Sequence, residues 1–292
     1  MIRLLRLLWL ALVPLCAVAS PEIDRLADLA SKGDATALGS LVEIARRNRD
    51  ADAEYALGVM AYEGRGLEKN PSQAFRLIER ASAKGHADAS NTLGFFYEHG
   101  VGTPVDLAQA LASYRRGAQA GSSRARTNLG WFYEKGIGVA KDSAVAADWY
   151  KMAAEQGLAA AQANLARLYE SGNGVTENPM MAIELYKTAL AGGLPSAALG
   201  MGRLLESRGK LAEAADNYVI AAKAQVPESD WDAGRLLVSP ANPRRNVAQG
   251  VGLRPKNPHL CGTLTPFSYW LAEYISQQSA QFVFTVKSQR DV

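Results

Sequence analysis

The chain predicts an all-α fold of stacked helix pairs, on three observations. Gly58, Gly94, Gly130, Ala166 and Gly202 stand 36 residues apart, and a whole pattern travels with them. Within each period, apolar and small residues recur at helical spacing, in one segment and then in a second. Between the two segments a glycine-bearing turn recurs, with Gly66, Gly102, Gly138 and Gly174. Self-similarity at such a period marks a repeat architecture, in which one helix pair cannot bury its apolar face alone and stability comes from stacking. The blocks are 51–86, 87–122, 123–158, 159–194 and 195–226, with a partial sixth at 227–253.

Taken in order, residues 1–19 read as a secretory signal. Arg3 and Arg6 give a positive end, Leu7 to Val13 an apolar run, and Ala17-Val18-Ala19 a small-x-small cleavage site before Ser20. Cys16 invites a lipoprotein reading, but Leu15 stands where a small residue is expected before a lipidated cysteine. Residues 20–50 read as a capping helix pair. Ile23, Leu26, Leu29 and Ala30 lie on one apolar face, Leu38, Leu41, Val42 and Ala45 on the other, and Arg46, Arg47 and Arg49 at a solvated end.

In each repeat the first helix, such as 87–98, carries Ala87, Leu93 and Tyr97 at helical spacing. Gly100 and Gly102 then break the chain. Asn70, Asp106, Asp142 and Asn178 are expected N-caps of the second helix, because their side-chain oxygens accept from free amides. Pro71 and Pro179 fall at the first helical position, where proline is tolerated. The second helix presents Ala110, Tyr114 and Ala118, and the closing glycines, Gly121 and Gly157 among them, are expected C-caps. Block five has lost four residues in its turn, and the sixth resumes the spacing to Asn246. From 254 the composition changes, with Pro255, Pro258, Pro266 and an alternating Phe282, Phe284, Val286, so 254–292 is expected to be a non-repeat tail, poorly ordered in its first part.

The stretches Leu129-Gly130-Trp131-Phe132-Tyr133-Glu134-Lys135-Gly136-Ile137-Gly138-Val139 and Ala147-Asp148-Trp149-Tyr150-Lys151-Met152-Ala153-Ala154-Glu155-Gln156-Gly157 closely resemble the Sel1-like repeat, a relative of the tetratricopeptide repeat with a longer inter-helix turn. The resemblance covers about 51–253. It implies a right-handed α-solenoid of the exported bacterial type, acting as an adaptor or regulator, and it transfers no active site. Ser207-Arg208-Gly209-Lys210-Leu211 departs from it and looks like the ordinary tetratricopeptide turn.

In solenoids of this type the first helices line the concave side. On that basis the expected partner-binding residues are Tyr55, Tyr62, Asn91, Phe95, Glu98, Trp131, Glu134 and Arg167. Aromatics flanked by charge are the usual anchors of protein interfaces. Tyr55, Tyr62, Phe95 and Trp131 read either as such anchors or as inter-repeat packing. Glu98, Glu134, Glu170 and Glu206 form a column of one acid per repeat. They read either as surface or as local partners, for instance Arg167 with Glu170 and Arg203 with Glu206 at three-residue spacing.

Charge and chemistry narrow the function. The 292 residues hold 32 Lys and Arg against 29 Asp and Glu, but residues 20–238 are net acidic, which argues against a nucleic-acid-binding solenoid. After the signal only Cys261 remains, so no intramolecular disulfide is expected. His86, His99 and His259 have no His or Cys neighbour at metal-ligand spacing, so neither metal nor cofactor is expected. No GxSxG elbow or P-loop occurs. Ser207 and Lys210 form an SxxK, the spacing that pairs a serine nucleophile with a lysine in penicillin-recognising enzymes, but no SDN or KTG accompanies it. The leading expectation is a non-enzymatic periplasmic adaptor or regulator that binds a protein or peptide segment on its concave face. A cell-envelope scaffold contacting glycan or peptidoglycan is the alternative, and a β-lactamase-like hydrolase a distant third. No further apolar run is long enough to cross a membrane.

Overall fold

The computed structural model describes residues 20–47, 50–238 and 241–243. Residues 1–19 with Cys16, which the sequence reads as a signal, and Arg49, Asn246, His259, Cys261 and the tail at 254–292 lie outside the described residues. The fold is an all-α solenoid of helix-turn-helix repeats. The helices are α1 (Pro21–Ser31), α2 (Ala35–Arg47), α3 (Ala51–Glu63), α4 (Pro71–Ala83), α5 (Ala87–His99), α6 (Leu107–Gln119) and α7 (Ser123–Lys135). They continue with α8 (Ser143–Ala154), α9 (Ala159–Ser171), α10 (Pro179–Ala191), α11 (Ser196–Ser207), α12 (Leu211–Lys223) and α13 (Ser229–Val238). The chain divides into two compact units, the first ending at Lys210 and the second beginning at Leu211. In the first, each helix packs on the next along the chain; in the second, α12 packs on α13.

The second helices begin where the sequence places them. Asn70 and Asn178 accept from Gln73 and Met181 amides at 3.0 and 3.1 Å. Asp106 and Asp142 each accept from two amides at 2.9–3.0 Å, from Ala108 and Gln109 and from Ala144 and Val145. Each cap is also tied to the helix before it: the amides of Asn70, Asp106, Asp142 and Asn178 donate to the carbonyls of Ala61, Tyr97, Tyr133 and Tyr169 at 2.8–2.9 Å. The turn is thereby set from both ends.

The two glycines of that turn have different duties. Gly100 ends α5 in the left-handed region, at φ 70°. Gly102 is also left-handed, and a Cβ there would stand 2.2 Å from the carbonyl oxygen of Pro71. The turn of one repeat therefore rests on the first residue of the preceding repeat's second helix, and only glycine leaves room. The expected closing caps shift slightly. Ala120 and Glu155 are the C-cap residues of α6 and α8, while Gly121 and Gly157 lie one and two residues beyond, at φ 100° and 83°. The amide that follows each glycine returns to the helix, Ser122 to Gly117 at 2.9 Å and Leu158 to Ala153 at 3.3 Å. Glycine relieves the positive φ that this return demands.

The marker position faces a ring. A Cβ on Gly94 would stand 2.6 Å from Tyr114, and one on Gly130 2.8 Å from Tyr150. Tyr114 and Tyr150 are wholly buried, as are Phe96 and Phe132. The residue two beyond the marker fills the core in every block, as Met60, Phe96, Phe132, Leu168 and Leu204. In the capping pair, Ile23, Ala30, Leu41 and Ala45 are buried as expected, but Val42 is 43% exposed. It lines a cleft rather than the core.

Candidate functional site

The first helices approach one another: α5 touches α7 and α9 touches α11, whereas no two second helices of neighbouring repeats in the first unit make comparable contact.

The acids of the column turn inward. Tyr114 donates its hydroxyl to Glu98 at 2.6 Å, Tyr150 to Glu134 at 3.1 Å and Tyr186 to Glu170 at 2.9 Å. The bond closes each repeat, first helix to second. Repeat one replaces both partners: Ile78 stands in the tyrosine's place and Tyr62 in the glutamate's. An isoleucine has nothing to donate, so no carboxylate is needed opposite it.

Glu134 carries more than its tyrosine. Its side chain is 3% exposed, and it takes Arg167 at 2.5 Å and Lys135 at 3.2 Å. Burial pushes its carboxyl up, but the hydrogen bond and charge of Arg167, with Lys135, outweigh burial and hold it below the usual carboxylate range. Arg167 therefore bridges to the preceding repeat rather than pairing with Glu170 in its own helix. The three-residue spacing puts them on one face, but Glu134 offers a desolvated carboxylate where charge-assisted bonds are stronger. Glu98 has no arginine: burial raises it, and Tyr114 and His99 offset this only in part. Burial raises the tyrosines too, Tyr114 and Tyr150 well above the ordinary phenol, with the facing carboxylates adding to it.

Asn91 is also buried, accepting from Asn128 Nδ2 at 2.9 Å across the repeat boundary. Other cross-links have the same one-period reach. Ser122 Oγ donates to Asp88 at 2.7 Å, and Arg116 reaches Ser82 Oγ at 3.1 Å.

The aromatics are half-buried. Tyr55, Tyr62 and Phe95 pack on the core shared by repeats one and two, and Trp131 on the next. Tyr62 meets Phe95 edge-on at 6.3 Å, His99 stacks on Phe95 at 4.3 Å, and Lys135 Nζ sits 4.4 Å over Trp131. Tyr55 lies 4.4 Å from His86, which caps α5 by accepting the Ala89 amide on Nδ1 at 3.0 Å. His86 is thus a structural residue of a helix start. The sequence missed this role, although its place just before Ala87 was the signal. Burial lowers its pKa, against the pull of Asp52, Asp88 and Asp50. Ser207 Oγ donates to Leu204 at the end of α11, 2.8 Å away. Among the described residues no group of three or more His, Cys, Asp or Glu could hold a metal ion, and no helix is long and apolar enough to cross a membrane.

Paired helices and GxG turns define a repeat scaffold of the tetratricopeptide-like class, a fold known for protein–protein contact. Residues 51–86, 87–122, 123–158 and 159–194 match the Sel1 repeat, and over these blocks the chain belongs to the Sel1-repeat family. Among solved structures it is similar to a Sel1 repeat protein from Oxalobacter formigenes, at 23% identity and TM-score 0.68, over 79% of this chain and 96% of that one. It also aligns with a protective antigen of uropathogenic Escherichia coli strains, at 23% identity and TM-score 0.47, over 80% of this chain and 59% of that one. An immunity protein from Pseudomonas aeruginosa aligns at 19% identity and TM-score 0.46, over 82% of this chain and 90% of that one. No curated protein matches the chain.

Proposed function

We propose that this chain is an exported adaptor of the bacterial periplasm, binding a partner protein or peptide segment on its first-helix, concave surface. The observation that carries the reading is the division of labour along that surface. Asn91, Glu98, Glu134 and Arg167 are committed to bonds within and between repeats, while Tyr55, Tyr62, Phe95 and Trp131 keep part of their rings open. Rings fixed by packing on one side lose little entropy on binding, which suits interface anchors. The N-terminal signal pattern supports export.

The test is affinity capture from envelope extracts with the processed chain, identifying what is retained. A Trp131→Ala, Phe95→Ala variant should release most of the partner, since buried aromatic anchors contribute about 2 kcal/mol or more each. A Glu170→Ala, Glu206→Ala variant should retain it. The reverse outcome would move the contact to the acids and leave the rings as packing.

A further inference from the structure

Away from the aromatic surface, a cleft of about 610 Å³ opens between α2, α3 and α4. None of Tyr55, Tyr62, Phe95 and Trp131 lines it. Its apolar lining comes from Val42, Leu57, Leu67 and Leu77, one from each of three helices and one from a turn. Four cations stand around this lining: Arg46, Arg76, Arg80 and Lys84. The one carboxylate among the lining residues is Glu54, 3% exposed, paired with Arg80 at 2.9 Å and with Lys84. Arg46 and Arg76 are exposed and have no ion-pair partner among the described residues.

The volume falls in the roughly 300–1,000 Å³ range of ligand clefts. Apolar lining calls for large aliphatic or aromatic groups, because the gain on burial grows with the apolar area removed from water. Excess cations call for carboxylates, and arginine is the cation that binds them in bidentate geometry. Glu54 already satisfies Arg80 and Lys84, so the demand falls on Arg46 and Arg76, from α2 and α4.

We propose that this cleft is a second docking site, whose occupant is a partner segment carrying large apolar side chains flanked by carboxylates. An acidic amphipathic helix meets both demands, with apolar residues at i, i+3 and i+4 entering the cleft and Glu or Asp beside them meeting Arg46 and Arg76. The site is independent of the aromatic surface.

The test pans a random-peptide phage library on the full-length protein. Selected sequences are then titrated as labelled synthetic peptides against wild type, Arg46→Glu/Arg76→Glu and Trp131→Ala/Phe95→Ala. The expected result is a class of peptides with Leu or Phe at i, i+3 and i+4 and Glu or Asp beside them. Their Kd rises at least tenfold in the charge-reversed protein, stays unchanged in the aromatic variant, and weakens with salt. Arg46→Gln/Arg76→Gln serves as the milder variant should charge reversal alter the circular-dichroism melt. If no selected peptide loses affinity in either arginine variant, the proposal fails. Binding to phosphatidylglycerol vesicles that depends on these arginines, without any such peptide class, would assign the cleft to a lipid surface and overturn it equally. Partner capture that does not depend on Trp131 and Phe95 would count against the adaptor surface and leave this cleft standing.

Discussion

The hydroxyl of Tyr150 donates to the carboxylate of Glu134 at 3.1 Å, and Arg167 of the next repeat reaches the same oxygen at 2.5 Å. One buried acid thus closes its own repeat and clamps the following one. The bond within the repeat recurs with Glu98 and Glu170; at Glu98 the clamp is absent, because the equivalent of Arg167 in the following repeat is Trp131.

Glu134 and Glu98 should respond to acid in opposite directions. The depressed pKa of Glu134 means its stabilisation is full above the unfolded-state pKa and is lost as pH falls through the folded one. Glu134→Gln should therefore cost roughly 1–3 kcal/mol at pH 7 and much less at pH 3.5. The raised pKa of Glu98 means that its ionised form is the unfavourable one in the fold, and acid relieves it. Glu98→Gln should be neutral or stabilising at pH 7, converging with wild type in acid. Thermal melts of both variants from pH 7.5 to 3.5 check this, and parallel curves would contradict it.

His86 caps α5 only when Nδ1 is unprotonated, since that atom accepts the Ala89 amide. Its folded pKa is lowered, so this stabilisation is complete above the unfolded-state value and is lost as pH falls through it toward the folded one. His86→Asn keeps a capping oxygen without a titration. It should flatten the stability loss between about pH 7 and 5.5. His86→Ala should cost about 1 kcal/mol at pH 7. Denaturant melts at several pH values would show it.

Gly94→Ala should destabilise by about 1–3 kcal/mol, because its Cβ meets the buried ring of Tyr114 at 2.6 Å. The ring cannot withdraw without breaking its bond to Glu98. Adding Tyr114→Phe should recover part of the loss by freeing the ring to move, which a double-mutant cycle measures.

The main-chain nitrogen of Ser20 lies 3.2 Å from Asp52 Oδ2 in α3. Processing after Ala19 would turn this amide into an α-ammonium held by a carboxylate. N-terminal sequencing of the exported chain should begin at Ser20. Asp52→Asn should then lower the stability of the processed chain by roughly 1 kcal/mol, and that of the unprocessed chain less. A start at Met1 or at a lipid-bearing Cys16 would end this line.

The sequence by itself determined the period, the helix pairs and the caps, because these are local. An Asn or Asp three residues before an amide, a proline at a first helical position, and a glycine at positive φ each act within a turn of chain, as at Asn70, Pro71 and Gly100. The position two beyond the marker is apolar in each block, as Met60, Phe96, Phe132, Leu168 and Leu204, but its place in the core emerges only in the structure. What only the tertiary structure decided was the partner of each polar group. Glu98 and Glu134 look like surface acids on a helix face, and a helical wheel cannot show a tyrosine hydroxyl arriving from sixteen residues on. Arg167 had two glutamates in reach; the stacking of repeats, which desolvates Glu134, chose the one 33 residues back. Val42 belongs to an apolar stripe in sequence, yet it borders a cleft with Arg46 and Arg76, because α2 and α4 leave that cleft open over α3. Local rules fix the elements; desolvation at their contacts fixes which charges are structural and which remain to meet a partner.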